Sequence, residues 1–419
     1  MTIGEAGRRG KDVRSDCWVS VEPGASGGIA LELASRVGFL YGESIRQLAQ
    51  DELKALGIRH ARVTIEDQGA LPPVLMARLE CAVRRASPGK NVPEYLPAAG
   101  AAARLATSRE RWRRSRLYLP GNEPKFMINA RIHEPDGIIL DLEDSVAPAE
   151  KDAALLLVRN MLRAHDFGSS ERMVRINQLP RGLGEVAPLV AARVQLILIP
   201  KCESPDQVRQ VDAEVRRSWR ELGDGTPPTG EPDSPVFLMP IVESALGVIR
   251  AYDIASASPS VVALTIGLED YTADIGTQRT DEGRESFWAR SQVVNAAKAA
   301  GIQAIDTVFS DVADAEGLRQ SVLEAKGLGF EGKGCIHPRQ IRVIHEAFLP
   351  TDAEIDKARR IVAAFRAAES KGLAAVSLGS KMIDPPVVKR ALRTTQIAVL
   401  AGRLPADWLA TPSASGGAM

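Results

Sequence analysis

Along the second half of the chain, short apolar runs repeatedly end in charged side chains. GIILDLED closes on Asp141, Glu143 and Asp144; MVRIN carries Arg175 and Asn177; LILIPK ends in Lys201, with Glu203 just beyond. VFLMPIVE ends in Glu243, VVALTIG leads into Glu269 and Asp270, QAIDTVF contains Asp306, and GKGCIHP ends around His337. If these ends share one mouth, many carboxylates and two or three cations meet there. Carboxylates without a Cys/His ligand set or an HExxH motif favour a hard, oxygen-seeking cation such as Mg2+, held by one or two side chains and completed by water and substrate. Glu243 and Asp270, on consecutive runs, form the best pair; a rim of ordinary salt bridges is the competing account of the same charges. Arg175 lies inside an apolar run, where an arginine is costly unless it meets an anion, such as an oxyanion or carboxylate of a substrate. His337 precedes Pro338 and has no second histidine at ligand spacing, so it reads as a capping or packing residue.

The elements that must position these residues follow from the runs themselves. With RLYLP in front there are eight, separated by longer amphipathic segments, which predicts a (β/α)8 barrel. Arg114–His345 spans 232 residues, near the roughly 250 typical of that fold, whose active sites lie at the C-terminal strand ends. The Gly/Pro-rich stretch 223–235 reads as a surface loop. Ahead of the barrel, CWVSVEP and GIALELASRVGF flank Pro23–Gly28 in the pattern of a hairpin; a helix over 43–56, the strand HARVTIED and the helix LPPVLMARLECAVRRA complete a small α+β unit. Residues 88–112, rich in Pro, Ala and Arg, read as a linker, and the six arginines from Arg104 to Arg116 as a solvated helix rather than a nucleic-acid contact.

Composition narrows the function. The 419 residues carry 53 Lys plus Arg against 53 Asp plus Glu. That balance excludes a generally basic nucleic-acid binder. Four dispersed cysteines without a CxxC pair indicate neither a disulfide scaffold nor a zinc ribbon. No apolar run suggests a signal peptide or a membrane span, so the expectation is a soluble, cytoplasmic protein.

RSRLYLPGN, DGIILDLEDSVAPAEKDAA, VRIN, LIPKCES, IVESALGV, IGLEDYTADIG, AIDTVF and GFEGKGCIHPRQI stand in order over 114–350. Together they resemble the citrate lyase β-subunit (HpcH/HpaI aldolase/citrate lyase) family. YGESIRQLAQDEL and DQGALPPVLMARLECAV resemble the citrate lyase acyl carrier (γ) subunit. The implied architecture is a carrier-like domain over 1–88, a linker over 89–113, a TIM barrel over 114–350 and a C-terminal helical lid extension over 351–419.

The resemblance implies a carbon–carbon lyase acting on a 3-hydroxyacyl thioester, citryl or its malyl and citramalyl analogues, as free CoA thioester or carrier-bound. Glu243 and Asp270 would bind Mg2+; Arg175 would face the thioester oxygen, with Glu143 and Asp144 contacting substrate. SLGSKMIDPPVVKRA resembles a lid segment that offers an acid or base to a neighbouring subunit, here Asp384, whose alternative role is helix capping. The family would also assemble as trimers or hexamers and work with a citrate lyase α-subunit. The carrier family attaches a phosphoribosyl-dephospho-CoA arm to a serine. Alignment from Pro23 puts Arg14 at that position with Ser15 beside it, so either Ser15 carries the arm or the carrier is unmodified.

Overall fold

The computed structural model of the protein describes residues 2–223, 225–369, 376–378 and 381–409. The N-terminal part comprises β1 (Gly4–Gly7), β2 (Cys17–Pro23), β3 (Ile29–Ser35), α1 (Gly38–Ala55), β4 (Ala61–Asp67) and α2 (Pro72–Ala86). Its sheet has the order β1-β2-β4-β3. The expected hairpin between β2 and β3 does not form, because β4 lies between them, antiparallel to β2 and parallel to β3. Burial explains the order. Cys17, Val19 and Val21 of β2 and Val63 and Ile65 of β4 are buried, whereas no residue of β3 is, so β3 takes the edge. Helix α1 then supplies the crossover that a parallel β3–β4 pair needs. The edge strand β1, GEAG, has no apolar run to announce it; a Cβ on Gly4 would lie 2.0 Å from the Ala82 carbonyl oxygen, so β1 packs directly on α2.

The eight runs form β5 (Ser115–Pro120), β6 (Gly137–Asp141), β7 (Glu171–Arg175), β8 (Leu196–Ile199), β9 (Phe237–Val242), β10 (Ala263–Ile266), β11 (Gln303–Asp306) and β12 (Gly332–Cys335). They close into a parallel barrel, with β12 pairing back onto β5. Its interior is filled by Ile139, Met173, Leu196, Leu198, Met239, Ile241 and Ile305. The helices that follow the strands are α3 (Pro124–Asn129), α4 (Lys151–Ala164), α5 (Leu183–Ala191), α6 (Pro205–Leu222), α7 (Ala245–Ile249), α8 (Ala251–Ala255), α9 (Leu268–Asp274), α10 (Arg284–Ala299), α11 (Ala315–Leu328) and α12 (Arg339–Phe348).

The arginine-rich stretch is not a solvated helix. It has one helical turn, at Ala101–Arg104. Arg113 is buried and forks onto Glu171, at 2.7 and 2.8 Å, where β7 begins. It also reaches Gln303 at the start of β11 at 2.8 Å, while Arg109 bonds the Pro259 carbonyl ahead of β10. These arginines close the N-terminal end of the barrel, and the acceptors that hold them are distant in sequence.

His345–Met419 makes a second compact unit. There α13 (Asp352–Glu369) and α14 (Pro385–Leu400) pack around Ile361, Val362, Ile383, Val388 and Ala398, beside a two-stranded pair, β13 (Val376–Leu378) and β14 (Lys381–Ile383). Among the described residues no helix is long and apolar enough to cross a membrane.

Candidate active site

The C-terminal ends of the barrel strands surround a cavity of about 420 Å3 lined by Arg116, Tyr118, Asp141, Arg175, Glu243 and Asp270, among others. Asp141 and Arg175 end neighbouring strands in register. The Arg175 guanidinium forks onto Asp141, with Nε donating at 2.6 Å and Nη2 at 2.8 Å. Its Nη1 lies 2.9 Å from Glu143 and 3.5 Å from Asp144. Lys201 holds the same two carboxylates, at 2.7 and 3.4 Å. Although burial opposes it, pairing with Asp141 keeps Arg175 firmly charged. The arginine expected to seek an anion is thus already anchored by carboxylates of the protein.

Glu243 is buried beneath this network. Its Oε1 accepts the Lys201 backbone N–H at 2.7 Å. Lys201 adopts the left-handed region, φ +47°, uncommon for a residue with a Cβ and typical of functional sites. Burial pushes the Glu243 carboxyl up to about 8, reinforced by the charge of Asp270, which lines the same cavity. Asp270 makes no hydrogen bond or ion pair among the described residues. Gly267 lets the Glu243 carboxylate pass close to the backbone: a Cβ there would lie 2.5 Å from Oε2. Among the described residues no group of three or more Asp, Glu, His or Cys is arranged around a metal position. Two carboxylates that repel each other in a partly buried cavity fit a Mg2+ ion, which takes few protein ligands and keeps several waters.

The remaining strand-end residues divide clearly. Asp306 is fully buried and spent on Arg290 and Lys333, the latter at 2.7 Å. Glu269 pairs with Arg279. His337 Nδ1 accepts the Arg339 N–H at 3.1 Å, where α12 begins. Asp384 stands in the second unit, where its carboxylate accepts the Val387 N–H at 3.1 Å as the N-cap of α14. Ser15 is half-buried, with φ +58° and its N–H donating to the Gln68 carbonyl at 3.1 Å. Its hydroxyl has no partner among the described residues, and Arg14 is exposed. Sequence reasoning missed Arg116 and Tyr118, both from the run RLYLP. A charged residue second in a barrel strand is a signal that could have drawn attention to Arg116.

Residues 114–338 match the family described as HpcH/HpaI aldolase/citrate lyase, and residues 9–86 match the one described as Malonate decarboxylase delta subunit (MdcD). The chain is 38% identical to citrate lyase subunit beta of Leuconostoc mesenteroides subsp. cremoris, over 69% of this chain and 94% of that protein. It is 34% identical to mitochondrial citramalyl-CoA lyase of Mus musculus, over 68% and 86%. Among solved structures it is similar to protein CitE from Mycobacterium tuberculosis in complex with magnesium, acetoacetate and coenzyme A, at 30% identity and TM-score 0.57, over 69% of this chain and 99% of that one.

Proposed function

Because the chain belongs to the HpcH/HpaI aldolase/citrate lyase family and carries an MdcD/ACP-type domain ahead of the barrel, we propose that it is a Mg2+-dependent lyase splitting a citryl thioester into oxaloacetate and an acetyl thioester. The observation that most supports this reading is the presence, on one chain, of a carrier-type domain and a barrel mouth containing Glu243, Asp270 and Arg175.

Glu243 and Asp270 would hold Mg2+, which when bound supplies positive charge for the substrate hydroxyl and its adjacent carboxylate. Cleavage breaks the bond between the hydroxyl-bearing carbon and the carbon next to the thioester. The electron pair goes to the thioester side as an enolate, while the hydroxyl becomes the ketone and its proton passes to water at the cavity mouth, matching the one later returned to the enolate carbon. Arg175, immobilised on Asp141, offers a fixed cation to the thioester oxygen, where charge develops; a donor held in place needs no reorganisation during the reaction. Glu143 and Asp144 set the position of Arg175 and Lys201 at the entrance. Asp384 of the partner subunit would return a proton to the enolate carbon, which requires an oligomer, a trimer or hexamer in this reading. Ser15 would carry the phosphoribosyl-dephospho-CoA arm, and a separate α-subunit would load it with the citryl group.

Similarity to a citramalyl-CoA lyase, together with Arg14 at the carrier serine position, favours a second reading: a malyl-CoA or citramalyl-CoA lyase, or a thioesterase, acting on free CoA thioesters with a vestigial carrier. Purified chain with Mg2+ is to be offered citryl-CoA and citramalyl-CoA, and its intact mass measured from the native host. Oxaloacetate release and an added mass on Ser15 support the first reading. Pyruvate release from citramalyl-CoA alone, with no added mass, replaces it with the second, and no cleavage of either sinks both.

A further inference from the structure

Arg116 is a buried cation with no anionic partner among the described residues. It is 1% exposed and lines the cavity that holds Glu243 and Asp270. Its Nη1 donates to Thr265 Oγ1 at 2.8 Å and touches the Met239 sulfur at 2.9 Å, and its Nη2 reaches the Asp306 carbonyl oxygen at 3.4 Å. Every one of these partners is neutral. Its Nε–H has no partner among the described residues. The nearby carboxylate of Asp306 is taken up by Arg290 and Lys333, so it does not neutralise Arg116. Burial accordingly holds the Arg116 guanidinium below its ordinary pKa.

The chain makes room for this side chain. Arg116 is in register with Gly334 on one neighbouring strand and Gly137 on the other, so neither register partner puts a side chain beside it. The guanidinium meets Thr265, which pairs in register with Ile241. Glu243 stands two residues beyond Ile241 on the same face, since side chains at i and i+2 share a face of a strand. Arg116 therefore waits one side-chain layer beneath the carboxylate pair. A charge left uncompensated in a protein interior costs several kcal/mol and survives where something else supplies the counter-charge.

We propose that Arg116 forms an anion subsite on the floor of the catalytic cavity that takes a further carboxylate of the substrate, one carried by the third substituent on the hydroxyl-bearing carbon. The inference rests on the lyase reading above. With the hydroxyl and its adjacent carboxylate at Glu243 and Asp270, and the thioester toward Arg175, that third substituent points to the layer below. In a citryl thioester it is a carboxymethyl group, whose charge matches Arg116. In citramalyl and malyl thioesters it is a methyl group or a hydrogen, which would leave the guanidinium unpaired. Arg116 would then set specificity for the more highly charged substrate.

The variant Arg116→Met removes the charge at similar length, and replacing a buried ion by an apolar side chain is often neutral or stabilising. Wild-type protein with Mg2+ should bind oxaloacetate more tightly than pyruvate in titration calorimetry. Arg116→Met should lose that preference by roughly a hundredfold, the scale of losing one member of a buried charge pair, while pyruvate binding stays unchanged. The ratio of kcat/KM for citryl-CoA over citramalyl-CoA should fall in parallel. Equal loss of both ligands together with a lowered Tm would make Arg116 a structural residue and overturn the subsite. So would an unaltered preference in the variant. Wild-type protein that binds neither acid would instead remove the lyase reading, and the subsite with it.

Discussion

Glu243 owes its chemistry to two neighbours, a backbone N–H that accommodates its charge and the Asp270 carboxylate that opposes it. A proton and a divalent cation therefore compete for the same site, because a carboxylate must be deprotonated to act as a ligand. With the Glu243 carboxyl pushed up to about 8, Mg2+ affinity should climb by roughly tenfold per pH unit below that value and level off above it. Asp270→Asn removes a ligand and also the repulsion, so affinity should drop and the bend in the profile should move to lower pH. Calorimetric Mg2+ titrations between pH 6 and 9 measure both; a flat profile for the wild type would take Glu243 out of the site. The carboxylates were legible because each closes or directly follows an apolar run, although that spacing does not tell those spent on ion pairs, as Asp306 and Glu269 are, from those open to a ligand. Arg116 was not, since its significance lies in the counter-charge it lacks, which depends on Asp306 being claimed by residues from two other elements.

Among the helices, α1 carries Glu52, which is 0% exposed, with neither carboxylate oxygen hydrogen-bonded among the described residues. Burial raises its pKa well above the ordinary range, Glu80 adds to the rise and Arg159 opposes it. The unfolded chain releases this proton near pH 4.3 while the folded one keeps it, so stability contributed here is full at low pH and declines as pH rises. Glu52→Gln should leave Tm unchanged near pH 4 and raise it by about 2 °C at pH 8. Thermal melts at the two pH values decide it; an equal shift at both would assign the effect to packing. In α14, Asp384 caps the first turn, and capping is separable from acid chemistry because Asn caps as well as Asp. Asp384→Asn should keep the Tm and lose most turnover; full turnover would leave the cap as its sole role. The barrel strands could be read from spacing because each is a separate apolar run. The N-terminal sheet order could not, since β3 pairs across α1 with a strand that follows it, and β2 passes over its neighbour in sequence.

The carrier-type domain is joined to the barrel by more than a covalent connection. Arg78 of α2, held within the domain by a fork onto Asp16 at 2.9 Å through Nε and Nη2, donates across to the Asn122 carbonyl at 3.1 Å, in the loop that leaves β5. Arg85 of α2 reaches Asp152 and the Ala149 carbonyl, where the chain enters α4. Arg159 of α4 pairs with Glu80 of α2 at 2.5 Å, and both are buried. Asn122, Ala149 and Asp152 all follow barrel strands, so these contacts lie on the side of the catalytic mouth. Asp16, next to Ser15, is therefore held at that rim. The Arg159–Glu80 pair crosses from barrel to domain, and breaking such a buried pair costs about 3–5 kcal/mol because a charge is left behind, enough to keep the domain docked. All four native cysteines are buried, so spin labels on Ser26→Cys and Asp206→Cys, both exposed, report the spacing of domain and barrel. The wild-type background should give one narrow distance distribution, and Arg159→Met, which leaves the buried Glu80 without its partner across the contact, should broaden it. A broad distribution before any substitution would mean that the domain itself travels between partners, and that these ion pairs form only one of its resting positions.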